Sequence, residues 1–210
     1  GLASPVHLYD WFQIPYDTNY PHYFPAKEAF VPGMRRLQEK GIRVMPYING
    51  RLWDTHDKGK EDWQFTAVAR PNCTKKRGDH PFLEVYPTSN IELAIMCPST
   101  ALWQEKQQEI METLFHEFGV DAVYIDQIGA AQAYPCEDPS HSHRAGGGSW
   151  WVESYRNLLD HVRQILPEGR CLTTECTSDP YMKDIQAYLS WIWIKNDQVP
   201  AFMAIYNGYV

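Results

Sequence analysis

The chain lacks the features that would mark a membrane protein, a nucleotide binder or a serine hydrolase. No uninterrupted apolar run approaches the ~20 residues of a spanning helix, so no membrane partner is expected. No glycine-rich phosphate loop follows a strand-like run; the one glycine run, Gly146-Gly147-Gly148, lies twenty residues beyond Asp126. No serine occupies a Gly-x-Ser-x-Gly strand-to-helix turn, which removes the usual serine-hydrolase arrangement. Positive charge is in the minority: 19 Lys and Arg stand against 26 Asp and Glu, a net charge of −7 that argues against a nucleic-acid partner. Short-period repeats and low-complexity tracts are absent. Cysteine is sparse and irregular, five residues (Cys73, Cys97, Cys136, Cys171, Cys176) with no CxxC pair. A domain of this size has core enough to do without disulfides, so these read as reduced. No export leader is visible, and the compartment stays open between cytoplasmic and secreted.

What is present is ordinary in bulk and unusual in one respect. The 210 residues suit a single domain over 1–210, with 44% apolar and 21% charged residues. Aromatics make up 14%, including eight Trp and thirteen Tyr. Many sit in polar, Pro- or Gly-rich stretches: Trp11, Tyr16, Tyr20, Tyr23, Trp53, Trp63, Tyr134, Trp150. Each could simply pack a loop onto the core. As a set they suit a cleft that stacks on a sugar-like ligand while hydrogen-bonding it.

Apolar runs and helical spacings alternate along the chain. Residues 6–12 predict a first strand, Gly33 to Lys40 a short helix, and Ile42 to Asn49 a second strand. Residues 54–90 show no sustained periodicity and read as a long functional or mobile loop. Ile91 to Cys97 look extended. Pro98 to Phe118 predict the clearest helix, ended by Gly119, and the strand to Asp126 follows. A further helix over Ser149 to Leu166 leads into the strand that ends at Glu175. Ala187 to Ile194 and Ala201 to Tyr206 read as two more strands. The repetition predicts an α/β fold with a parallel sheet and right-handed crossovers. Polar residues end nearly every strand, which favours a (β/α)8 TIM-type barrel. Such a barrel typically needs about 250 residues, so the chain reads as an incomplete barrel belonging to a longer parent with further domains.

Asp126 and Glu175 are the leading candidates. Each ends a buried strand-like run, and barrel chemistry gathers where strands end. Two carboxylates at neighbouring strand ends are what glycoside hydrolysis needs, one as nucleophile or base and one as acid. Alternatively, each carboxylate caps a helix or pairs with an Arg. The remaining candidates for binding a substrate are Asp10, Trp11, Asn49, Arg51, Trp53, Gln127, His141, His143, Trp150 and Asp197. Asp54 at the head of a loop could equally be a cap. The loop from Gly129 to Ser149 is expected to form a wall of the cleft. Within it Cys136, His141 and His143 could ligate a metal that Asp126 or Glu175 completes. The favoured expectation is that these side chains meet polar substrate or solvent, with no metal and no cofactor.

The segments Tyr9 to Pro15, Met45 to Asp54, Tyr124 to Gly129 and His141 to Trp151 resemble an uncharacterised family of bacterial glycoside-hydrolase-like TIM barrels. More distantly the chain is similar to endo-α-N-acetylgalactosaminidases and α-galactosidase-type retaining enzymes. The resemblance implies a retaining glycosidase acting on a carbohydrate or glycoconjugate, with Asp126 as nucleophile and Glu175 as acid/base. A non-catalytic carbohydrate-binding barrel and a metal-dependent hydrolase are the alternatives.

Overall fold

The computed structural model describes residues 5–59, 62–190 and 200–209. In chain order the elements are β1 (Val6–Leu8), α1 (Phe30–Gln38), β2 (Val44–Asn49), β3 (Leu52–Asp54), β4 (Lys75–Lys76), β5 (His80–Pro81), β6 (Leu83–Val85), β7 (Glu92–Ile95), α2 (Ala101–Glu112), β8 (Ala122–Asp126), α3 (Trp150–Ile165), β9 (Cys171–Glu175), β10 (Ala187–Leu189) and α4 (Ala201–Tyr206). Five strands make one curled parallel sheet in the order β1-β2-β8-β9-β10, a half-barrel. The expected parallel α/β architecture is present; a closed eight-stranded barrel is not seen among the described residues.

β8 shows why these segments pair as they do. Ala122 to Asp126 are all buried, so the strand needs apolar side chains on both faces, and Val123, Tyr124 and Ile125 supply them. Helices pack against the sheet through their apolar stripes. α3 buries Trp150, Trp151, Tyr155, Leu158, Leu159 and Val162, and α2 buries Trp103, Ile110 and Met111. The last turns after α2, Thr113–Phe118, widen into a π-helix that still buries Leu114 and Phe115.

The two ends of the sheet are built differently. At the ends where the strands begin, Gly41, Gly119 and Gly169 each stand between a helix and the next strand with φ near +75°. That left-handed conformation costs glycine nothing and lets helix turn straight into strand. Asp121 closes this end: its carboxylate accepts from the Val44 N–H at 2.9 Å and the Gln38 amide at 2.8 Å, and pairs with Arg170. At the other end long loops leave each strand. The longest, between β2 and β8, carries a three-stranded antiparallel sheet β3-β7-β6 and the β4-β5 hairpin.

Three sequence expectations change. Residues 54–90 are not a featureless loop; most of the small sheets lie there, in strands of two to four residues too short to display a period. The extended run at 91–97 pairs as β7 with β3 and β6, outside the parallel sheet. Ala201–Tyr206 is a helix, not a strand. A six-residue apolar run cannot distinguish the two by pattern, and Ala and Met favour helix. Phe202 and Tyr206, four apart, place their rings 4.9 Å from each other across the helix turn.

Candidate functional site

Parallel pairing brings three strand ends side by side. Asn49 on β2 is in register with Asp126 on β8, and Ile125 with Thr174 on β9, so Glu175 falls beside Asp126 one step further on. Period-2 alternation then puts Tyr47 and Tyr124 one layer below, also in register. Asp126 is buried, 9% exposed. Its Oδ2 accepts from the Tyr47 hydroxyl at 2.8 Å, while its Oδ1 is buried with no donor. The Asp126 carboxyl is pushed well above the ordinary carboxylate range, first by burial and then by a hydrogen bond and charge from Glu175; the Tyr47 hydroxyl and the Gln127 N–H oppose the shift. A neighbouring carboxyl disfavours the charged form of Asp126, as burial does.

Glu175 opens onto a cleft of about 400 Å³ whose other walls include Arg51, Glu84, Tyr86, Gln127 and Ala130. Arg51 is 2% exposed and held from two sides: its Nε donates to Gln127 Oε1 at 2.9 Å and its guanidinium pairs with Glu84. It also lies 5.9 Å over the Tyr134 ring. One guanidinium nitrogen, Nη1, is buried and bonds nothing. Gln127 in turn donates to the Tyr86 hydroxyl and adopts φ +70°. That backbone conformation turns the chain sharply off β8 and returns the Gln127 side chain to the cleft. Gly129 lets the outgoing loop cross β9 closely; a Cβ there would sit 2.8 Å from the Glu175 carbonyl oxygen.

The other sequence candidates divide sharply. Asn49 is fully buried, and its Oδ1 accepts from the Arg51 and Leu52 N–H groups at 2.9 and 3.0 Å. It shapes the turn that delivers Arg51. Asp54 likewise holds backbone, accepting from the N–H groups of Asn19 at 2.7 Å and His56 at 3.0 Å. Asp10 lies apart, exposed and paired with Lys27 at 2.5 Å. The indole N–H of Trp11 is committed to the Tyr47 carbonyl at 2.7 Å, that of Trp53 to Trp63 at 3.0 Å and that of Trp150 to Gly146 at 2.9 Å. These three tryptophans pack; Tyr86 is the aromatic that lines the cleft. Tyr9 and Tyr16, each more than a third exposed, cluster with Tyr47 at ring distances of 5.1 and 5.4 Å. Asp197 lies outside the described residues.

Of the expected cleft wall, Ala130 and Ala131 border the cleft beside Glu175. His143 and Trp150 line a separate groove of about 640 Å³ that contains neither carboxylate. His141 and His143 gather instead with Cys136 and Cys97. The sequence reading missed Tyr47, Glu84 and Tyr86. Tyr47 was recoverable by stepping back two residues from Asn49; Glu84 and Tyr86 lie in the region without periodicity and left no such mark.

The domain of unknown function DUF6259 matches residues 1–210, and the chain belongs to that family. A relative from Bacteroides thetaiotaomicron named "Putative glycoside hydrolase" is 34% identical over 183 residues, 87% of this chain and 26% of the relative. The chain therefore spans about a quarter of that relative's length. Among solved structures, the alpha-N-acetylgalactosaminidase NagBb of Bifidobacterium bifidum superposes with a TM-score of 0.66 at 18% identity, over 88% of this chain and 28% of that one. The alpha-galactosidase TtGalA of Thermus thermophilus superposes with a TM-score of 0.60 at 14% identity, over 88% and 34%. At these identities the structural likeness concerns the fold.

Proposed function

We propose that this chain carries the catalytic pair of a retaining glycoside hydrolase, with Asp126 as nucleophile and Glu175 as acid/base. The observation that carries the reading is the placement of two carboxyls at adjacent strand ends, Asp126 buried and Glu175 open to a cleft. Retaining enzymes hold their carboxyls about 5–5.5 Å apart, whereas inverting ones leave about 6.5–9.5 Å for a water between them. Carboxyls on the ends of paired neighbouring strands, which lie about 4.8 Å apart, favour the short spacing. The names of the Bacteroides relative and of the structural neighbours point the same way.

The chemistry requires a proton on Glu175 and an ionised Asp126. With a saccharide in the cleft, Tyr47 stabilises the Asp126 charge through Oδ2. The donor-free Oδ1 is left to attack the anomeric carbon while Glu175 protonates the departing oxygen. Water, activated by the now ionised Glu175, releases the sugar from Asp126. Arg51, fixed by Gln127 and Glu84, offers its spare Nη1 to a substrate oxygen. A binding-only barrel has no need of a buried carboxyl whose titration is pushed well up.

In the intact protein, Asp126→Asn should abolish cleavage of every glycoside, because no glycosyl-enzyme can form. Glu175→Gln should spare aryl glycosides with good leaving groups and be partly rescued by azide. Undiminished turnover in Asp126→Asn, or equal losses in the two variants on an activated substrate, would remove these roles.

A further inference from the structure

A second cluster of chemically capable side chains lies outside the carboxylate site. We propose that Cys97, Cys136, His141 and His143 form a structural zinc site of the Cys2His2 type. Their four ligand atoms lie within 4.8 Å of one another, and no carboxylate belongs to the group. Both cysteines are fully buried.

The two histidines are each turned so that one ring nitrogen is left free to bind. His141 Nε2 faces the Pro71 carbonyl oxygen at 2.9 Å. A carbonyl only accepts, so that nitrogen carries the hydrogen and Nδ1 keeps its lone pair. His141 Nδ1 points at the Cys136 sulfur, 3.4 Å away. His143 is arranged the opposite way round. Its Nδ1 faces the Arg144 carbonyl at 2.9 Å, which leaves Nε2 as the nitrogen with a lone pair. That Nε2 is buried and has no partner. Histidines that bind metal almost always donate their other N–H to a carbonyl or carboxylate, and both do so here. The His143 ring is fixed further by stacking on Trp150 at 3.7 Å and 9°.

The spacing fits zinc. With bonds of about 2.3 Å to sulfur and about 2.0–2.1 Å to nitrogen, neighbouring ligand atoms of a tetrahedron lie about 3.5 Å apart. The Cys136 sulfur and His141 Nδ1, at 3.4 Å, already stand at that separation. Two thiolates and two imidazoles suit a borderline-soft ion such as Zn²⁺ over Ca²⁺ or Mg²⁺, which prefer oxygen. Binding sends the two thiol protons to solvent and leaves a neutral site. The backbone N–H of Lys75 approaches the Cys136 sulfur at 3.4 Å, as expected around a metal thiolate. Four protein ligands close the coordination sphere, so the role is structural.

The ligands come from two places in the chain. Cys97 follows β7, in the antiparallel sheet that also carries Glu84, and the other three lie in the loop after Asp126. Zinc would therefore join the two long excursions that flank the Arg51 cleft.

The test is metal content and spectroscopy on the intact protein, purified from zinc-supplemented medium without chelator. About one zinc per chain is expected, falling at least tenfold in Cys136→Ser and His143→Ala and unchanged in Cys171→Ser, whose thiol lies outside the cluster. Exchange with Co²⁺ should give the intense visible bands of a tetrahedral thiolate site in the unmodified protein, so the proposal does not hang on variants that fail to fold. Zinc below a tenth of an equivalent with no Co²⁺ spectrum would overturn it, as would a Cys97–Cys136 disulfide found by peptide mapping. Zinc retained in full by both variants would also overturn it.

Discussion

In the proposed role Asp126 meets two opposed demands, because a buried carboxyl is most comfortable neutral and a nucleophile must be charged. Its raised titration has a stability consequence whose sign is fixed. The fold favours the protonated form, so this contribution is intact below the ordinary value of 3.8 and is lost as pH rises toward the higher folded value. Asp126→Asn should accordingly raise the melting temperature at neutral pH, by roughly 2–4 °C if the relief is about 1 kcal/mol, and the gain should vanish near pH 4. A melting curve no better at pH 7 than at pH 4 would contradict this account of the burial. Arg51 makes a converse prediction. Truncating it to Ala leaves Glu84 without its guanidinium and opens the wall of the cleft, so KM should rise; because Glu84 is 26% exposed, stability should drop by less than the about 3–5 kcal/mol of a fully buried pair. The two carboxylates were legible because each terminates an apolar run. The tryptophans were misleading for a physical reason: an indole N–H needs a partner when buried, and here backbone carbonyls in loops supply it.

At the scale of elements, a carboxylate means different things at the two ends of the sheet. Asp121 and Asp126 belong to the same short segment, five residues apart, yet Asp121 ties α1, β2 and Arg170 together at the ends where strands begin. Asp121→Ala should cost about 1–3 kcal/mol by stranding the buried Val44 N–H, read by denaturant unfolding, and leave kcat unchanged. α3 supplies the complementary case: Leu159 is fully buried, and Leu159→Ala should cost about 2–5 kcal/mol. The long amphipathic helices and the strands that feed them were readable from the sequence because many residues repeat one signal. β3 to β6 were not, since strands of two or three residues are specified by their partners across the sheet; β7 was legible as extended, but its departure from the parallel sheet was not. With them went the residues they carry, Glu84 above all, and the contact of Cys97 with a loop some forty residues on.

Across the whole molecule, every parallel strand points the same way, and the consequence concerns how such a chain can change over time. The beginnings of the strands are joined by turns of a few residues around Gly41, Gly119 and Gly169, where a side chain would strain the backbone and an added residue would shift the register of a strand. Nothing there touches the cleft. The opposite rim already holds an excursion of about fifty residues between β2 and α2 without disturbing the pairing of β2 with β8. Novelty is thus confined by geometry to one side. Random insertions selected only for folding should accumulate in the loops beyond Asn49 and Asp126 and be missing from the three glycine turns. The same asymmetry leaves a lineage free to exchange one substrate for another by rewriting loops, while the strands that present Asp126 and Glu175 stay as they are.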